Sequence, residues 1–154
     1  NFKRTTMQTV FWILIFLGTF FIMEFNAWFT HKYVMHGFLW NLHRDHHHKD
    51  HESWFERNDA FFIFYAIVSM TCFYLWSVEA VWYCLPIGFG ILAYGAAYFI
   101  VHDIFIHQRF KLLRNIDNKY ARGLRRAHKI HHKHLGKEKG ENFGMLFVPL
   151  KYFK

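Results

Sequence analysis

Apolar positions fall into three long runs, residues 7–29, 60–78 and 81–101. A single charge, Glu24, interrupts them. Each is long enough to cross a bilayer as a helix, which takes about 20 residues. Only a short stretch around Glu79 separates the second run from the third, so these two predict a helical hairpin. Pro86, Gly88, Gly90 and Gly95 lie in the third run. They allow a kink or a re-entrant path there, and with it four shorter passes instead of three. The first run is too long for a signal-peptide core and no small-residue cleavage site follows it, so it reads as a retained span. The pattern predicts an all-α integral membrane bundle of three to four transmembrane helices. The polar segments between and after the spans form a helical cap, and residues 1–154 make a single domain.

The polar segments repeat a motif. His31 and His36 are followed by His43, His46 and His47, and His102 and His107 by His128, His131 and His132. Both copies read H-x4-H, then H-x2-H-H, and together they use ten of the 13 histidines. In a regular helix, positions i, i+3 and i+4 share a face, so each H-x2-H-H should present three imidazoles together. Five residues turn an α-helix by roughly 140° past a full turn. Each H-x4-H pair therefore serves two different metals, or its helix is distorted. Gly37 fits a helix end just past His36.

Charge orients the chain. Lys and Arg number two before the first run, four between Lys32 and Arg57, and 13 from Arg109 to Lys154. The hairpin is an even number of crossings, so both histidine regions lie on one face. That face holds 17 of the 19 basic residues and is expected to be cytoplasmic, in a bacterial inner membrane. The basic stretch 111–139 is read as a solvated face near anionic lipid headgroups, not as a nucleic-acid surface. Cys72 and Cys84 lie in apolar runs without metal-site spacing and read as free thiols.

Ten imidazoles are too many for one ion, so a two-metal site is expected, with His31, His36, His43, His46, His47, His102, His107, His128, His131 and His132 as ligands. The set contains no cysteine, unlike closed structural zinc sites, and imidazole suits iron. A pair of irons can activate O2, and apolar spans give a greasy substrate a dry approach. Ligating imidazoles usually donate their second N–H to a neighbouring acceptor, which makes Asp45, Asp103 and Asn26 candidates for that support. Glu24, late in the first span, should line the route to the metals, bond a ligand or lie at the interface. Phe38, Trp40, Phe105 and Phe110 are either pocket-lining or ordinary packing. His48, His51 and His134 fall outside the pattern and should not be ligands.

The stretches HKYVMHGFLWNLHRDHH, VHDIFIHQRF, RRAHKIHH and GENFGMLFVPLKYF resemble the bacterial-type β-carotene hydroxylases of the fatty-acid hydroxylase superfamily of membrane di-iron enzymes. The resemblance runs from about Thr30 to Phe153. It implies a monooxygenase with two non-haem iron ions and O2 as co-substrate, hydroxylating ring carbon 3 of carotenoid β-ionone rings. β-Carotene would become β-cryptoxanthin and then zeaxanthin. Electrons would come from NAD(P)H through a ferredoxin-type donor, and the carotenoid from the bilayer. The alternatives are a fatty-acid or sterol hydroxylase, a carotenoid ketolase, a desaturase, a membrane haem protein, or a metal carrier.

Overall fold

The computed structural model describes residues 2–48 and 52–154, and every regular element among them is helical. Helix α1 covers Phe2–Phe29 and continues as a π-helical segment, Thr30–Phe38. A short α2 follows at Trp40–His47, then α3 at Asp59–Glu79. Helix α4 covers Cys84–Phe99 and also runs on in π geometry, Ile100–Ile106. Helix α5 is Lys119–Lys133, and a 3₁₀ turn, Leu150–Phe153, closes the chain.

Among the described residues, three continuous stretches are long and apolar enough to cross a membrane: Thr6–Phe38, Asp59–Glu79 and Cys84–Ile106. The option of four shorter passes is thereby corrected to three. Pro86 sits in the first turn of α4, where no hydrogen bond to its missing N–H is required. The glycines of α4 serve packing instead of breaking the helix.

Close packing divides the chain into two units. One comprises Asn1–Met23 and Phe61–Ala96. Here small residues bring helices together, as expected where hydrocarbon removes the hydrophobic drive to associate. A Cβ on Gly90 would stand 2.7 Å from Thr19 Cβ on α1, and one on Gly88 equally close to the Phe73 ring on α3. Ser69 donates its hydroxyl to the Gly88 carbonyl at 2.9 Å, which satisfies a polar group at membrane depth. Phe20 meets Tyr94 edge-to-face at 5.6 Å. Outward positions such as Phe11, Leu14, Phe64 and Ile67 are exposed and apolar, as lipid-facing positions should be.

The other unit comprises Glu24–Ala60 and Ala97–Lys154 and contains every repeated histidine. Helix α5 starts where the Asn118 side chain accepts the Ala121 N–H at 2.9 Å. Ala121, Leu124, Ala127, His128 and His131 form its buried stripe. Lys119, Arg122, Arg126, Lys129 and Lys133 are exposed on the rest of its surface. A small core of Phe105, Ala121 and Leu124, with Val101, Ile106 and Val148 against it, fixes α5 to the π end of α4. Gly123 leaves room for the Phe153 ring, which seats the 3₁₀ turn on α5.

Candidate metal centre

His31, His36 and His102 lie in the π segments, and His107 caps the second of them. The Leu39 N–H donates to the Val34 carbonyl at 3.0 Å and the His107 N–H to the His102 carbonyl at 2.9 Å, each five residues back. The wider turn removes the conflict of spacing, and His31 and His36 face one group of imidazoles. The helix is distorted, and the pair is not divided between two sites. At Gly37 the backbone leaves the helical region (φ −103°, ψ −122°), which ends the segment and lets α2 begin afresh.

The histidines gather in two clusters, each with ligand atoms within 4.8 Å of one another. Cluster one is His31, His36, His43, His47 and His131. Cluster two is His46, His107, His128 and His132. His102 stands at its rim, its Nε2 3.1 Å from that of His46 and its ring 4.5 Å from that of His107. The expectation that each H-x2-H-H offers three imidazoles to one place is corrected here. Positions i and i+4 stay together, as His43 with His47 and His128 with His132. The i+3 residue turns to the other cluster. His46 leaves the first repeat and His131 leaves the second, so each cluster borrows one ligand from the other copy. The stacked rings of His47 and His132, 4.4 Å apart, join the two clusters.

Tautomers follow from the outer partners. The Nδ1–H groups of His31, His36 and His131 donate to the carbonyls of Phe143, Lys137 and Glu141 at 2.9–3.0 Å. His43 donates to Asn58 Oδ1 at 2.7 Å, His46 to Glu56 at 2.8 Å and His102 to Asp103 at 3.2 Å. All six partners are acceptors, so Nδ1 carries the proton and Nε2 a lone pair. These lone pairs nevertheless face each other. His31 and His43 are 3.2 Å apart at Nε2, His36 and His131 3.3 Å, and His46 and His102 3.1 Å. A second proton would give a buried imidazolium. Burial opposes that, holding His43, His46 and His131 below the ordinary imidazole range. Opposed lone pairs at this distance repel unless a cation lies between them. Imidazole–metal bonds are about 2.0–2.1 Å long, so neighbouring ligands on one ion stand about 3.0–3.4 Å apart. The Nε2 of His132 is buried without a hydrogen-bond partner, which also fits a ligand atom. The residues therefore fit a pair of metal ions, and the ligand set is all nitrogen.

Of the three supporting residues expected, Asp103 bonds His102 and also pairs with Arg109 at 2.6 Å. Arg109 bridges to Asp59 at 2.9 Å, and these bonds push its guanidinium further into the charged range. The Asp45 carboxylate accepts the main-chain N–H of Arg57 at 2.6 Å, fixing the loop that carries Glu56 and Asn58. Asn26 is half-buried on α1, five residues before His31. Sequence reasoning missed Asn58 and Glu56, although the polar stretch after the first repeat was a signal for them. It also missed the three main-chain carbonyls, which no side-chain pattern announces.

Glu24 anchors the C-terminal tail. Its carboxylate accepts N–H groups of Met145, Leu146 and Phe147 at 2.9–3.1 Å. Hydrogen bonds to a charged acceptor contribute about 1.5–3 kcal/mol each, enough to keep a carboxylate buried here. Among the aromatic candidates, Trp40 packs against His36 and His47, ring centroids 5.1 and 5.3 Å away. Phe105 is core, Phe38 is exposed, and Phe110 packs on Trp54. His48 is exposed and bonds the Leu135 carbonyl, while His51 lies outside the described residues.

Comparison with known proteins places this arrangement. The fatty acid hydroxylase family matches residues 16–153. A β-carotene hydroxylase of Pantoea ananas is 41% identical, over 88% of this chain and 77% of that protein. One from Paracoccus sp. is 35% identical, over 88% and 83%. A chloroplastic β-carotene 3-hydroxylase of Arabidopsis thaliana is 35% identical over 82% of this chain but 42% of its own length. No solved structure matches the chain.

Proposed function

This chain belongs to the fatty acid hydroxylase family, among the bacterial-type β-carotene hydroxylases, and from that premise we propose that it hydroxylates carbon 3 of carotenoid β-ionone rings, taking β-carotene through β-cryptoxanthin to zeaxanthin. It is a membrane oxidoreductase with a histidine-rich site suited to two non-haem irons. The observation that carries the reading is the pair of imidazole clusters joined by exchanged ligands, in a chain related to β-carotene hydroxylases along most of its length.

In this reading one iron is held by His31, His36, His43, His47 and His131, the other by His46, His102, His107, His128 and His132. Bound there, the irons would supply activation of O2 for insertion of one oxygen atom into a ring C–H bond. The protein's own residues do the rest. The outer acceptors keep six of the ten rings, those of His31, His36, His43, His46, His102 and His131, in the tautomer that turns Nε2 inward. Glu56 and Asp103 place negative charge behind cluster two, which offsets metal charge. Phe143 and Trp40 lie against cluster one, where apolar rings exclude water. Ring hydroxylation at one carbon follows from how deeply the ring enters beside the metals.

The carotenoid reaches the site from the bilayer. Residues 1–154 act as one membrane-embedded domain, with both histidine regions on the cytoplasmic face of a bacterial inner membrane. The basic surface of α5 suits an acidic ferredoxin-type donor that passes on electrons from NAD(P)H. Pigment chromatography of β-carotene-producing cells expressing the chain tests this. Conversion to β-cryptoxanthin and zeaxanthin is expected. An unchanged β-carotene pool with iron-loaded protein in the membrane would overturn the substrate assignment.

A further inference from the structure

The C-terminal tail has two sets of main-chain groups that point to different places. Three consecutive N–H groups, of Met145, Leu146 and Phe147, converge on the Glu24 carboxylate. A few residues earlier, the carbonyls of Lys137, Glu141 and Phe143 accept the Nδ1–H of His36, His131 and His31. The backbone between is shaped for both tasks. Asn142 is left-handed (φ 56°), a conformation asparagine tolerates, and it separates the two carbonyls that reach different imidazoles. A Cβ on Gly144 would stand 2.9 Å from the Phe147 carbonyl oxygen and 3.2 Å from Glu24 Oε1. The Phe143 ring lies edge-on to His31, His36 and His131, with centroids 5.2–5.4 Å away. Cluster two is supported differently, by the side-chain carboxylates of Glu56 and Asp103.

We infer that Glu24 is a positioning residue for one metal only, pinning the tail so that its carbonyls orient three of the five histidines of cluster one. The inference rests on the two-metal reading above. Glu24 acts through residues 137–147.

The test is metal release from purified protein loaded anaerobically with ferrous iron and challenged with a chelator. The wild-type chain should release two equivalents. In Glu24→Gln one equivalent should leave about 10-fold faster or more, the effect typical of disturbed outer support, with the other unchanged. Gly144→Ala, which crowds the same contact from the tail side, should accelerate the same equivalent. Glu56→Gln should accelerate the other one, and the Glu24→Gln, Glu56→Gln double variant both. Wild-type release in Glu24→Gln and Gly144→Ala would overturn the inference and leave the two-metal reading standing. Equal acceleration of both equivalents would also overturn it, because that is a general loss of structure. Fewer than two equivalents in the wild-type chain would remove the reading and the inference together.

Discussion

His131 lies on α5, in the second repeat, yet it is fully buried in the cluster built by the first. His46 makes the opposite exchange. Removing either should therefore empty a site that its own repeat does not build. His131→Ala and His46→Ala are expected to lower hydroxylation more than about 100-fold, beyond the loss typical of outer partners. Zeaxanthin formation in expressing cells measures this, and normal product from His131→Ala would count against the exchange. His48→Ala should retain activity, since its imidazole bonds a surface carbonyl. A further consequence concerns protons. Chiefly through burial, His131 is pushed down to about 4, and His47, His107 and His132 to about 2. Below the ordinary imidazole value of about 6.5 the unfolded chain then binds more protons than the folded one. The stability these neutral rings contribute is complete above that value and is lost as pH falls towards the folded ones. Thermal unfolding of the metal-free protein in detergent should show a midpoint that declines from pH 7 to pH 4; a flat or rising midpoint would contradict it.

At the level of elements, the π turns reconcile a five-residue histidine spacing with one cluster. Deleting Val34 would convert H-x4-H to H-x3-H and let the segment relax to a regular α-helix. We expect such a variant to insert normally but to lose hydroxylation and one bound metal, measured by iron content of membranes with equal protein. The three spans were legible because each run is apolar and nearly uncharged, and the ten histidines because their spacing repeats. The exchange of His46 and His131 was not legible, since helical spacing says which residues share a face but not what that face meets. Nor was the tail, because its contribution comes from carbonyls and N–H groups that every residue carries. The glycines of α4 read from sequence as a kink or a re-entrant path, whereas Gly88 and Gly90 make room for the close approach of Phe73 and Thr19.

For the whole molecule, the hairpin of α3 and α4 must return the chain to the side it left if both repeats are to share a centre. Cysteines introduced at Ser53 and Lys139, both exposed, in a Cys-free background should resist an impermeant reagent added outside intact cells. Labelling of one and not the other would place the repeats on opposite faces. The most direct measurement is the iron count of the anaerobically purified chain. Two ferrous ions per chain, falling to one in His131→Ala, is the result expected of two clusters linked by exchanged ligands. A single ion per chain, or two that both survive His131→Ala, would contradict the account.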